Sequence, residues 1–181
     1  HGNKPGQFNN PWGVTFDSKN QRIIVSDKGN NRIQLFNKKM EFVSSFGKDQ
    51  LNDPRGVFVQ PATNNIIVAD FSCHRIQVFS NPDGDAKEFK SLYIVGGPQE
   101  SEDCGRFYNS RGVTCNNRGH IIVSESINHR VQILDEKGRF IRAMGTTGQE
   151  GSANNQFYYP WNACVDRSNH NQILVADYRN K

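Results

Sequence analysis

A chain of 181 residues with 35% hydrophobic and 22% charged side chains is long enough for one domain with a real core, and none of its apolar runs reaches the length of a membrane span or a secretory signal. Its formal net charge of +4 permits an anionic partner without requiring one, since a solvated surface accounts for so mild an excess. Sixteen glycines, seven prolines and twelve phenylalanines, with no sustained i, i+3, i+4 apolar spacing, predict short strands, tight turns and almost no helix. The chain opens on His1 rather than Met, which reads as an excised piece of a longer protein.

The first strand signal is "GVTF" (13–16), led by "GQFNNPWGVTF" (6–16). After the turn "DSKNQ" comes "RIIVS" (22–26), then a short polar turn, "RIQLF" (32–36), the turn "NKKM" and "FVSSF" (42–46), closed by Gly47. The same order recurs. "DQLNDPRGVFV" (49–59) leads to "IIVADFSCHRIQVF" (66–79) and to "LYIVGG" (92–97). "GRFYNSRGVTC" (105–115) leads to "IIVSESINHRVQIL" (121–134) and "FIRAMG" (140–145). "NQFYYPWNACV" (155–165) leads to "ILVADYRNK", which stops at Lys181 where an arginine-led strand is due. The units span approximately 6–47, 49–97, 105–145 and 155–181. Two insertions, "SNPDGDAKEF" (80–89) and "PQESEDC" (98–104), are expected as surface loops.

Units of roughly 40 to 50 residues with four strands each predict an all-β propeller of four-stranded antiparallel blades. The second strand of every unit is continuously apolar, as expected where both sheet faces are covered by neighbours. A Greek-key sandwich would not need near-identical units in series. The run "PWGVTFDSKNQRIIVSDKGNNRIQLF" resembles the NHL repeat, and the family's signature triplet corresponds to Asn30-Asn31-Arg32, Cys73-His74-Arg75 and Asn128-His129-Arg130. The form of these triplets is most similar to the propellers of tripartite-motif proteins and their Brat-like relatives. Because that family's propeller closes with six blades, the resemblance implies three complete blades and a partial fourth. It also implies RNA or protein recognition, with any RING ubiquitin ligase domain lying outside this chain.

Several recurring polar positions read as scaffold. The acid ending strand two (Asp27, Asp70, Glu125, Asp177) and the arginine opening strand three (Arg32, Arg75, Arg130) are expected to pair across the turn, the carboxylate accepting turn amides. A catalytic residue has no reason to recur in every blade. Asn30, Asn128 and Asn180 read as turn-formers. His74 and His129 occupy one repeat position on different blades, and equivalent positions are expected far apart around a ring, too far to share a metal. His1, His120 and His170 have no ligand-like companions. The chain is similar in fold class to peptidyl-hydroxyglycine amidating lyase, a secreted, disulfide-bonded propeller with channel metals. It lacks that enzyme's paired cysteines and inner histidine cluster, and GxSxG, P-loop and HExxH elements are absent. No catalysis, cofactor or metal is therefore expected. Cys73, Cys104, Cys115 and Cys164 have no CxxC spacing and point to free thiols and a cytoplasmic setting.

Two loop positions per blade are expected on the propeller's top face. The position beside the glycine of strand one holds Trp12, Arg55, Arg111 and Trp161, and two residues earlier stand Asn10, Asp53, Asn109 and Tyr159. After the strand-two acid come Lys28, Phe71, Ser126 and Tyr178, with Arg179 next. Cations suit phosphates, and open rings stack on unpaired bases. The resemblance implies RNA contact in these same regions. The alternatives are tryptophans packed between blades, arginines that are merely solvated, and a surface that recruits a substrate or cytoskeletal protein. Asp53 weakens the charge beside Arg55, and Ser110 replaces the proline of the other lead segments, which leaves the third loop's shape open. The expected ligand is single-stranded or stem-loop RNA, with a protein partner as the rival and no membrane or small-molecule substrate.

Overall fold

The computed structural model describes residues 1–84, 88–97, 99–169 and 171–180. Asp85–Lys87 and Pro98 of the two insertions, His170 and the terminal Lys181 lie outside the described residues. The first antiparallel sheet has the order β1 (Pro11–Asp17), β2 (Arg22–Asp27), β3 (Arg32–Asn37) and β4 (Phe42–Phe46). The second runs β5 (Pro54–Val59), β6 (Ile66–Asp70), β7 (Arg75–Phe79) and β8 (Ser91–Gly96). The third runs β9 (Ser110–Cys115), β10 (Ile121–Glu125), β11 (Arg130–Leu134) and β12 (Phe140–Met144), and the fourth pairs β13 (Pro160–Asp166) with β14 (Gln172–Asp177). β2, β6 and β10 each have a partner on both edges and apolar residues on both faces, which explains their continuous Ile-Val runs. The only helical residues among those described form two single 3-10 turns, Lys28–Asn30 and Phe71–Cys73.

Three apolar layers lie between successive sheets. Ile24, Ile33 and Leu35 meet Val57, Ile66, Val68 and Phe79. Ile67, Ile76 and Val78 meet Val113, Cys115, Ile121 and Val123, and Ile122, Val131 and Ile133 meet Ala163, Ile173 and Val175. One sheet alone would leave both faces wet, so stacking supplies the core. The first insertion is not a simple surface loop. Its Phe89 is 8% exposed and stacks on Phe46 of the preceding sheet with ring centroids 4.4 Å apart. Its Asn81 accepts from Arg22 Nη2 and donates to Asp17, both of the first sheet. It is a strap between two blades.

The innermost strands β1, β5, β9 and β13 pack successively side by side. Their starts pair with the ends of the second strands: Pro11 opposite Asp27, Pro54 opposite Asp70, Ser110 opposite Glu125 and Pro160 opposite Asp177. Both candidate loop regions therefore share one rim. The inner strands approach so closely that a Cβ on Gly13 would lie 2.5 Å from Arg55 O, and one on Gly112 2.3 Å from Asn162 Oδ1. Glycine is needed there for the close approach.

Candidate nucleic-acid interface

Every lead loop enters its inner strand through a register break. The ladders skip from Pro11 to Val14, Pro54 to Val57, Ser110 to Gly112 and Pro160 to Asn162. Inside these breaks stand Trp12 with Gly13, Arg55 with Gly56, Arg111 and Trp161. A bulge turns its side chain away from the regular alternation, here toward the axis. The expectation that equivalent positions stand far apart is thus corrected for this position. Trp12 and Trp161, from the first and fourth sheets, have ring centroids 5.7 Å apart. Neither tryptophan is wedged between sheets: Trp12 is 40% exposed, and Trp161 stacks on Tyr178 at 3.9 Å.

The loops are held from two sides. The backbone amides that the recurring acid accepts come not from its own turn, as expected, but from the lead loop of its own blade: Asn9 N to Asp27, Asn52 N to Asp70, Tyr108 N to Glu125 and Tyr158 N to Asp177. The same carboxylates take the expected arginine at 2.7 Å, Arg32 on Asp27, Arg75 on Asp70 and Arg130 on Glu125. Asn30, Asn128 and Asn180 donate to the acid and to a lead-loop carbonyl. The next loop amide is taken by the preceding blade: Asp53 N donates to Asn31 Oδ1, Asn109 N to His74 Nδ1 and Tyr159 N to His129 Nδ1. Sequence reasoning missed this latch, although the middle triplet position always carries an acceptor. Asn10, Asp53, Asn109 and Tyr159 all have φ between 54° and 59°, a left-handed conformation that a bulky tyrosine rarely adopts. Asn109 matches the others, so Ser110 does not reshape the third loop. Its hydroxyl donates to Arg75 O instead.

Around the axis the side chains form one cation–aromatic cluster. The Arg55 guanidinium lies 3.2 Å from the Phe71 centroid and 4.9 Å from that of Trp12. It pairs with Asp53 at 3.0 Å and is 8% exposed, so it is not a solvated surface charge. Lys28 reaches Asp53 at 3.8 Å and lies 5.5 Å from the Trp12 ring centroid. Arg111 lies 4.5 Å from Trp161, 5.5 Å from Trp12 and 5.6 Å from Phe71. Burial, and then the neighbouring Arg55 charge, pull the Arg111 pKa down to about 10.

Tyr159 and Arg179 form an outer part of the same rim. Arg179 lies 4.4 Å from the Tyr159 ring and donates to Tyr158 OH, a bond that raises its pKa. Asn10 is exposed and Asn109 half-buried; each contributes loop shape rather than a cation or ring. Ser126 is 1% exposed and is not available at the rim. Among the described residues, no group of three or more His, Cys, Asp or Glu side chains could hold a metal ion. The arrangement can receive anions on its cations and flat rings on Trp12 and Tyr178.

The NHL repeat model matches residues 8–36, the first lead loop through β3. Protein brain tumor of Drosophila melanogaster is 33% identical over 145 residues, covering 77% of this chain and 13% of that protein. Protein lin-41 of Caenorhabditis elegans is 42% identical over 43 residues, covering 24% of this chain and 4% of that protein. The chain thus spans a small part of each relative's length. Among solved structures, a streptogramin B lyase superposes with a TM-score of 0.66 at 16% identity, over 94% of this chain and 49% of that one. The β-propeller domain of Myceliophteria thermophila Cps50 (Swd1) gives 0.65 at 10% identity, over 94% and 48%. At such identities these two likenesses speak for the fold alone. Repeat, register and relatives agree: the chain belongs to the NHL-repeat β-propellers of the tripartite-motif and Brat-like family.

Proposed function

We propose that this propeller is a non-catalytic recognition module whose upper rim binds RNA, single-stranded or presented in a stem-loop. The observation that carries the reading is the convergence of Lys28, Arg55 and Arg111 with the open rings of Trp12 and Tyr178 at one rim. Phosphates are drawn by the cations and unpaired bases stack on the rings. Phe71 and Trp161 are already covered by Arg55 and Tyr178, so they support the surface instead of offering free faces. The four cysteines are free thiols, which supports placing the protein in the cytoplasm; denatured, unreduced protein is expected to titrate four thiols, and two or none would contradict that placement.

Salt-dependent RNA titration tests the reading. Lys28→Ala is expected to weaken all sequences alike and to lower the salt slope by about 0.7. Tyr178→Ala is expected to cost about 1–3 kcal/mol with little change in slope. Tyr159→Asn places at a left-handed position a residue that tolerates it, as Asn10 and Asn109 do, so it is expected to keep the fold while weakening RNA binding. RNA affinity unchanged in all three variants, with binding to a protein partner lost, would replace this reading with that of a protein-recruiting propeller.

A further inference from the structure

Beneath the rim the axis holds a cavity of about 220 Å³, lined by Trp12, Gly13, Gly56, Arg111, Gly112 and Asn162 with valines from the inner strands. Drug-sized ligands need about 300–1,000 Å³, so this space suits a small group. Among the described residues that line it, Arg111 alone is charged. The Nε and Nη1 atoms of Arg111 are buried without a hydrogen-bond partner. A buried donor left unpaired is costly, and each such group in a folded protein calls for an explanation.

The charge balance points the same way. Arg55 commits Nε and Nη2 to Asp53, and Lys28 also faces Asp53. Three cations against one carboxylate leave two uncompensated positive charges (3 − 1 = 2) among aromatic walls. Burial, and after it the Arg55 charge, lower the Arg111 pKa.

We propose that this axial cavity is a site for a dianionic phosphate group, with Arg111 as its principal donor and Arg55 and Lys28 completing the charge. An internal phosphodiester carries one charge and would leave the cluster positive, whereas a monoester carries nearly two near neutral pH. The same chemistry has two sources: free inorganic phosphate, or the terminal phosphate of a bound oligonucleotide. The second source rests on the RNA reading above.

The test uses the full 181-residue chain with inorganic phosphate as the first probe, at constant ionic strength near pH 7.5. Phosphate is expected to raise the melting temperature of the wild type by mass action. Arg111→Gln removes a half-buried cation whose Nε and Nη1 are unpartnered, so it is expected to fold and to bind phosphate about tenfold to a hundredfold more weakly. Should Arg111→Gln fail to fold, Arg111→Lys and Arg55→Gln serve in its place; each is expected to weaken phosphate binding, and no weakening in either overturns the site. A second arm compares one oligonucleotide with a 5′-phosphate and with a 5′-hydroxyl end. The phosphorylated form is expected to bind more tightly to the wild type, with that advantage gone in Arg111→Gln. Phosphate binding through Arg111 with no oligonucleotide binding sustains the site and overturns the RNA reading. Oligonucleotide binding indifferent to Arg111 and to the terminal phosphate, with no response to inorganic phosphate, overturns the site and sustains the RNA reading. An equal phosphate response in wild type and Arg111→Gln means an adventitious ion only.

Discussion

His129 shows what one side chain contributes to this rim. Its Nδ1 accepts the Tyr159 amide, so that nitrogen must be unprotonated, and its Nε2 faces Glu150 at 3.8 Å. Burial lowers its pKa below the ordinary 6.5; Glu150 and Asp177 oppose the shift, and Arg179 adds to it. Tyr158 and Tyr159 pack their rings against the imidazole. The unfolded chain therefore takes up the proton first as pH falls. Stability is fully present above the ordinary histidine value and is lost as pH drops through it toward the folded value. His129→Asn should keep an acceptor, as Asn31 does at 2.9 Å from Asp53 N, and should flatten the pH dependence between about 7 and 5. His129→Ala should cost about 1–3 kcal/mol near pH 7 by orphaning the amide, and less as the pH falls toward 5. Urea denaturation across that range checks both, and an identical pH slope in wild type and His129→Asn would show that the latch does not titrate.

At the scale of the element, the acid–arginine pair is the fastening of the first three blades, and its strength differs among them. Arg130 is 1% exposed and, besides Glu125, donates to the carbonyls of Glu102, Asp103 and Arg106. Arg32 does the same with Asn3, Lys4 and Gln7. Arg75 has a 21% exposed side chain and, among the described residues, a single carbonyl partner, Gln50. Arg130→Ala should therefore cost about 3–5 kcal/mol, the range for breaking a buried pair, and Arg75→Ala clearly less; equal losses on chemical denaturation would refute the ranking. The pair itself was legible in the sequence, because an acid and an arginine five residues apart at a strand–turn–strand boundary must meet. The lead-loop partners were not, because those bonds join residues 17 to 19 positions apart. Sequence periodicity carries no information on which loop a carboxylate will reach. The strands were legible for the opposite reason: β2 and β3 lie where "RIIVS" and "RIQLF" place them, within a residue.

At the scale of the whole molecule, the register breaks mattered most and were least visible. A strict two-residue alternation sends Trp12, Arg55, Arg111 and Trp161 wherever their strands point, whereas the bulge sends all of them to one axis. The same packing of inner strands leaves two sheet surfaces uncovered. Val14 and Phe16 of β1 are 68% and 49% exposed, and Leu174 of β14 is 55% exposed, beside Cys164, which is also exposed. In the intervening sheets the corresponding inner-strand positions are covered: Val57 and Val113 are each 5% exposed. Two apolar sheet faces on one molecule favour association, because contact between them removes apolar area from water at about 25 cal/mol per Å². The 181-residue chain should therefore show a molecular mass that rises with concentration in light scattering. Val14→Lys combined with Leu174→Lys should shift it toward the monomer with little loss of stability, since neither side chain is part of a buried layer. A wild-type chain that stays monomeric up to high concentration would mean that these faces are too strongly twisted or too small to pair.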